Sequence, residues 1–285
     1  MKLAIVVNLT KPKAIACARQ IIRILLGAGA QLFMPPECRK IFSDSGTAFA
    51  ETIEQLFEIT DAAITVGGDG TIIHSAKYAA RTATPLIGVN VGRLGFAADM
   101  ETDEIGDLKK LLTGSYAVEE RLLLDIEVQN ASGSRRYLAV NDAVVTHGQL
   151  SKIVDFTLYL EGEEISKYRA DGLLFSTPTG STAYSLSAGG PILSPQMKCI
   201  LMTPVCPHSL FSRSVLFGAD SVLSVTAKIP KGCSCVLSID GEQNIDITEA
   251  DTVIIRKSDL TLRLISIENR NFYRKLNEKL KEREL

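Results

Sequence analysis

Between Ala62 and Ala80 the chain passes from a strand through a glycine turn into a helix. No other stretch restricts the fold as much. Ala62-Ala63-Ile64-Thr65-Val66 is short and apolar or β-branched, the signature of a buried strand. Gly67, Gly68 and Gly70 follow, and Thr71 to Ala80 reads as a helix. A strand feeding a Gly-rich turn into a helix makes an anion site. Glycine lets the backbone come close to a phosphate, and N–H groups at a helix start point toward it. Asp69 is the odd member, because a carboxylate repels a phosphate. It gains a purpose by taking a proton from a nucleophile, or by sharing a divalent cation with the phosphates. Taken alone, Gly-Gly-Asp-Gly serves equally well as ordinary turn chemistry.

The flanking segments alternate in the same way. Leu3 to Val7 reads as a strand apolar on both faces. Pro12 suits a first helical turn, Ile15, Ala18, Ile22, Leu25 and Leu26 recur at helical spacing, and Gly27 and Gly29 end that helix. Gln31 to Met34 reads as a second strand before Pro35-Pro36, and Phe49, Ile53, Leu56 and Phe57 mark another helix. Pro85 to Asn90 is a further strand, and Asp103 to Leu112 a short helix. Such alternation predicts a parallel, doubly wound sheet. Ligands in these sheets bind beyond the carboxyl ends of the strands, where Gly67 to Gly70 falls. A second Gly-rich stretch, Gly88 to Phe96, puts another loop on that rim, although alone it reads as ordinary loop chemistry.

Near residue 118 helical periodicity fades and β-branched residues dominate. Leu122 to Val128, Tyr137 to Val145, Phe156 to Leu160, Gly172 to Thr177, Ser221 to Ala227, Cys235 to Ile239 and Thr252 to Arg256 read as strands. Phe272, Leu276 and Leu280 lie on one face of a helix in a charged tail. The expected organisation is an α/β domain over residues 1–117, a β-rich domain over 118–266, and a tail helix over 267–285.

Composition excludes several classes. The net charge of −2 gives no electrostatic case for nucleic acid or an anionic membrane. The six cysteines include no C-x-x-C, and the three histidines are far apart in sequence, so no zinc signature is present. Scattered cysteines behind a first segment too short for a signal peptide fit a reducing cytoplasm. Gly172 to Met197 carries no charge over 26 positions, but its Ser, Thr, Gly and Pro content argues against a membrane span. It reads instead as buried, ligand-facing loops.

That stretch contains the second chemical cluster. An apolar run, Leu173 to Phe175, exits into Ser176-Thr177-Pro178-Thr179-Gly180-Ser181-Thr182-Ala183-Tyr184-Ser185-Leu186-Ser187. Hydroxyls and amides there suit a sugar, Tyr184 offers a ring to stack on a base, and Asp171 offers an acceptor. A structural Ser/Thr-rich loop is the competing reading. Asn141-Asp142 is a second candidate ribose binder or a simple Asx turn at a strand edge. Lys152 and Arg169 otherwise read as solvated charges. His74, four residues past Gly70, faces a phosphate or only the helix surface.

Gly67 to Thr71, Gly88 to Phe96, Asn141-Asp142 and Asp171 to Pro191 together resemble the bacterial NAD kinase family, with Ser176 to Ser185 the most specific match. The resemblance implies an N-terminal α/β domain, a C-terminal β-rich domain with the site in the cleft between them, and a tail helix that returns to the first domain. It implies phosphorylation of the 2′-hydroxyl of the adenosine ribose of NAD by ATP, or by polyphosphate in some members, with a divalent cation, Mg²⁺. A cytoplasmic homodimer or homotetramer is implied, with no nucleic-acid or membrane partner. Asp69 matches the proton acceptor, and Gly68, Gly70 and Thr71 the phosphate turn. Phe96 matches the adenine pocket. Asn141 and Asp142 match the pair that holds the dinucleotide, with Asp142 one methylene shorter than the more familiar Glu. Lys152 and Arg169 fall where basic or polar dinucleotide contacts are common. Asp171, Thr182, Ala183, Tyr184, Ser185, Leu186 and Ser187 match the dinucleotide loop. After Asp240-Gly241, either Glu242 or Gln243 stands at a contact position. A lipid kinase shares Gly-Gly-Asp-Gly-Thr but needs a membrane-facing surface, which no run here supplies. A non-catalytic NAD-binding regulator predicts binding without turnover.

Overall fold

A computed structural model describes residues 1–92, 98, 100–148, 153–209, 212–267, 272–274 and 276–277. These divide into two compact units, one of residues 1–121 with the described residues from Thr261 onward, the other Leu122–Leu260.

The first unit alternates strand and helix: β1 (Lys2–Val7), α1 (Pro12–Gly27), β2 (Gln31–Met34), α2 (Arg39–Phe42), β3 (Ala48–Phe49), α3 (Ile53–Glu58), β4 (Ala62–Gly67), α4 (Asp69–Thr82), β5 (Leu86–Asn90) and α5 (Lys110–Thr113). Its strands run parallel in the order β5-β4-β1-β2-β3. The order reverses between β1 and β4, so the chain leaves their carboxyl ends in opposite directions and opens a crevice there. Asn8, just past β1, donates its N–H to the Val66 carbonyl at 2.9 Å, which fixes the two strand ends side by side. The core gathers Leu3, Ile5, Ile21, Leu25, Ile64 and Val89, all essentially inaccessible. Pro12 stands at the start of α1, and α3 is capped by Thr52, whose side chain accepts from the Gln55 N–H. Helix α3 therefore begins after Phe49, which belongs to the edge strand β3 and not to the helix its apolar spacing suggested. The short helix expected over Asp103 to Leu112 is two pieces, a 3₁₀ turn over Ile105–Lys109 and then α5.

The second unit is almost wholly β. Its elements are β6 (Ala117–Asn130), β7 (Gly133–Ala139), β8 (Asp142–His147), β9 (Val154–Leu160), β10 (Glu163–Ala170), β11 (Gly172–Ser176), α6 (Tyr184–Ser187), β12 (Cys199–Val205), β13 (Val215–Gly218), β14 (Leu223–Lys228), β15 (Cys235–Ile239), β16 (Gln243–Ile247) and β17 (Thr252–Ser266). The chain passes between the units inside β6 and again inside β17, whose Leu264 pairs in parallel with Leu86 of β5. One antiparallel layer has the order β10-β9-β14-β17, and β6 pairs with both β17 and β7. The other has the order β13-β12-β11-β8-β15-β16. Phe156, Leu158 and Leu223 from the first layer and Val145, Phe175 and Leu237 from the second form one buried core, a β-sandwich. The run Tyr137 to Val145 is broken at Val140-Asn141 into β7 and β8. The α/β plus β-rich architecture predicted from the pattern is the one found. Of the tail, residues 272–274 and 276–277 are helical, and Leu280 lies outside the described residues.

Candidate active site

The glycine turn sits at the crevice of the first unit. β4 is buried throughout and ends at Gly67, Gly68 is extended, and Asp69 opens α4. Gly67 has no room for a side chain, since a Cβ there would stand 2.3 Å from Thr71 Oγ1. The Asn8 amide donates to the same Oγ1 at 3.4 Å, and Asn8 Oδ1 in turn accepts from the Thr10 N–H and hydroxyl. The turn is thus pinned by its own helix and by the loop after β1. Helix α4 buries Ile72, Ile73, Ala76, Ala79 and Ala80 at helical spacing, which leaves Gly70 and His74 on its exposed side.

Two further residues at this rim were not singled out by the sequence. The Lys11 ammonium lies 3.4 Å from where a Gly68 Cβ would be and 3.7 Å from the same point at Gly92. It stands over both glycine turns, with no carboxylate partner among the described residues. Asn90, at the end of β5, donates its amide to Glu101 at 3.1 Å, while its Oδ1 is buried with no hydrogen-bond partner among the described residues. His74 lies on the exposed face of α4 with its ring edge against Tyr78. Phe96 lies outside the described residues.

The second unit holds a cavity of about 520 Å³. One face of β8 and β15 packs into the sandwich through Ala143, Val145, Leu237 and Ile239. The alternate residues Asp142, Val144, Thr146, Val236 and Ser238 floor the cavity. Asn141, Ala183, Tyr184, Asp240, Gly241 and Asn244 complete its wall. Four sequence-predicted residues, Asn141, Asp142, Ala183 and Tyr184, therefore meet in one place. The Asn141 carbonyl accepts from the Thr177 N–H at 2.9 Å, and the Thr177 hydroxyl donates to the Val140 carbonyl at 2.8 Å. Gly180 packs so closely that a Cβ would come within 2.1 Å of the Asn141 carbonyl oxygen, so only glycine fits there. The hydroxyl loop and the Asn141-Asp142 segment are thereby locked together. Asp142 is 5% exposed, and burial, followed by the nearby Asp240 charge, raises its carboxyl pKa to about 7.

Other predicted residues stand elsewhere. Thr182 and Ser185 are buried behind the wall, one donating to the Thr179 carbonyl and the other within 3.3 Å of the Thr203 hydroxyl. Leu186 and Ser187 belong to α6 but do not line the cavity. Asp171 lies at the far end of β11 from the loop, roughly 16 Å away at about 3.3 Å per residue, and its carboxylate is 3.3 Å from His147 Nε2. Arg169 is exposed on β10, 3.9 Å from Asp155. Lys152 lies outside the described residues. Neither Glu242 nor Gln243 lines the cavity, whereas Asn244 does. Tyr184 is 48% exposed, with a face free for stacking. Tyr184→Ala is expected to weaken binding of a base-bearing ligand about tenfold, within the range of a lost base–aromatic stack. Titration calorimetry with a nucleotide checks this.

A carboxylate inside a glycine turn at a sheet's switch point, and a cavity large enough for a nucleoside, fit a phosphotransferase that acts on nucleotides. Models of the ATP-NAD kinase N-terminal and C-terminal domains match residues 3–116 and 140–267. The chain is 35% identical to the NAD kinase of Moorella thermoacetica over 99% of its length and 89% of that protein. It is 37% identical to the NAD kinase of Carboxydothermus hydrogenoformans over 85% of its length and 87% of that one. The chain belongs to the NAD kinase family, and its reaction is the ATP-dependent phosphorylation of NAD. The fold agrees with that of yeast NADH kinase complexed with NADH (TM-score 0.90, 24% identity, 99% of this chain and 87% of that one). It also agrees with an NAD kinase from Archaeoglobus fulgidus in complex with ATP (TM-score 0.75, 24% identity, 99% of each chain).

Proposed function

We propose that the enzyme transfers the γ-phosphoryl group of ATP to the 2′-hydroxyl of the adenosine ribose of NAD, giving NADP and ADP, with Asp69 as the proton acceptor. The observation that carries this is a carboxylate set inside a glycine turn built for phosphates. Residues 1–117 serve the donor phosphates, residues 118–266 the dinucleotide, and the tail, 267–285, returns to the first domain. The same reading makes the enzyme a cytoplasmic homodimer or homotetramer.

A ribose hydroxyl is a poor nucleophile at neutral pH. As its oxygen bonds to the γ-phosphorus, its proton passes to the Asp69 carboxylate and the bond to the β–γ bridging oxygen breaks. Release of that proton to solvent resets the enzyme. Backbone amides of the glycine turn and the Lys11 ammonium spread the phosphate charge. In the second unit, Asn141 and Asp142 take ribose hydroxyls and Tyr184 stacks on a base.

No group of three His, Cys, Asp or Glu side chains among the described residues makes a metal site by itself. Mg²⁺ needs only one or two protein oxygens beside its waters and the substrate. Asn90 Oδ1, which has no hydrogen-bond partner among the described residues, would hold it at the turn. The ion supplies neutralisation of the phosphate charge.

The test is product formation from NAD with ATP or polyphosphate as donor, in Mg²⁺. Steady turnover to a product accepted by an NADP-specific dehydrogenase supports both the reaction and the 2′ position. A phosphorylated product that this dehydrogenase rejects overturns the 2′ assignment.

A further inference from the structure

The turn from β15 to β16 spends its aspartate in an unexpected way. Asp240 and Gly241 both lie in the left-handed region, with φ of 52° and 69°. An Asp-Gly pair is ordinary for such a hairpin. Asp240, however, does more than turn the chain. Its Oδ1 accepts from the Asn141 N–H at 2.7 Å, the Val140 N–H at 3.1 Å and the Asp142 N–H at 3.2 Å. Its Oδ2 also accepts from Val140, at 3.1 Å, and its own N–H donates to the Asp142 carbonyl at 2.9 Å.

Residues 140–142 are where β7 stops and β8 starts, so Val140 and Asn141 lie outside both strands. Three successive amides converge instead on one carboxylate, and bonds to an ionised acceptor are roughly twice as strong as neutral ones. The carbonyl side of the same segment is held by Thr177 and crowded by Gly180. Closing a hairpin does not call for this arrangement, which sets a second carboxylate beside the buried Asp142. It is understandable if the orientation of Asn141 and Asp142 matters more than the repulsion.

We propose that Asp240 is a positioning residue of the NAD pocket: by holding the amides of residues 140–142 it aims the Asn141 and Asp142 side chains at the ligand, and so governs NAD affinity and not the transfer step. This rests on reading the second-unit cavity as the NAD site.

Asp240→Asn keeps the shape and the left-handed turn but removes the charge. Its KM for NAD is expected to rise about tenfold, with kcat within threefold of the parent and KM for ATP within twofold. A second readout separates positioning from mere support of the fold. The titratable side chains lining the cavity with Asp142 are Asp240, on the turn after β15, and Tyr184, on α6. Loss of the Asp240 charge is expected to move the acid limb of kcat/KM for NAD to lower pH. An unchanged KM for NAD with an unmoved limb overturns the proposal, as does an equal loss against both substrates. If Asp240→Asn does not fold, Asp240→Glu decides: it keeps the charge on a longer arm and should raise KM for NAD alone. Tyr184→Ala run alongside tells the two readings apart. If it raises KM for NAD while the Asp240 variants do not, the cavity reading stands and the positioning role falls. If neither moves KM for NAD, the cavity reading itself fails.

Discussion

Asp69→Asn is expected to lower kcat by about 10²–10⁴-fold while leaving KM for NAD within a few-fold of the parent, because the loss falls on a proton transfer made only in the transition state. Asn is nearly the same size as Asp, so the packing at the start of α4 survives. Gly67 remains against Thr71, and Asn8 remains bound across to β4. What vanishes is an acceptor for the hydroxyl proton. A carboxylate at the start of a helix also interacts favourably with the helix dipole, so the variant should melt slightly lower, by an amount worth about 0.3–1 kcal/mol. Steady-state kinetics with both substrates, beside a thermal melt, check the two effects together. Full activity in the variant would remove the base assignment and leave the turn as a phosphate cradle alone. A large rise in KM for ATP with kcat kept would instead give Asp69 a role in donor binding through the cation.

Much of this was legible in the sequence because it was local. The glycine turn is read from consecutive residues, and the parallel sheet from alternation of strand and helix. What sequence hides is which face of a strand is wet. Val144, Thr146, Val236 and Ser238 alternate with core residues, yet alternation alone does not say that one face meets a cavity. β10 escaped because Glu163, Glu164, Lys167 and Arg169 are exposed along an edge strand and give it no apolar signal. β12 is buried throughout but carries Pro204, and a proline argues against an inner strand. It is tolerated because β13 pairs only with Cys199 to Met202, so Pro204 lies past the end of that ladder. The family resemblance groups Asp171 with Thr182 to Ser187. The five residues of β11 carry it to the opposite end of the sheet, beside His147. Asp240 was noticed as part of an Asp-Gly pair, but its grip on residues about 100 positions earlier is a tertiary fact.

Asp142→Asn should make the protein more stable at pH 8 and a poorer NAD binder, and the stability gain should fade as the pH falls. Burial, then the Asp240 charge, raises the Asp142 carboxyl in the folded protein to about 7, against the ordinary 3.8 it has when unfolded. The folded state therefore holds a proton that the unfolded state has released between those two values. Whatever stability this group gives is fully present below about pH 4 and is lost as pH rises through about 7. The loss amounts to roughly 4 kcal/mol at most, from about 1.4 kcal/mol per pH unit of separation. Asparagine does not titrate and carries no such loss. The difference in melting temperature, variant minus parent, is thus expected to grow by several degrees from pH 4.5 to pH 8 and to level off above that. Melts of both proteins across that range check it, and two curves that stay parallel would mean that Asp142 titrates normally. NAD affinity should move the other way, since the amide brings N–H donors where the ionised carboxylate only accepts. The parent's own affinity should rise from pH 6 to pH 8 as Asp142 ionises. A residue that costs stability at the pH where it binds best is understandable only through its ligand. The hydroxyls of a bound ribose would donate hydrogen bonds to the buried charge.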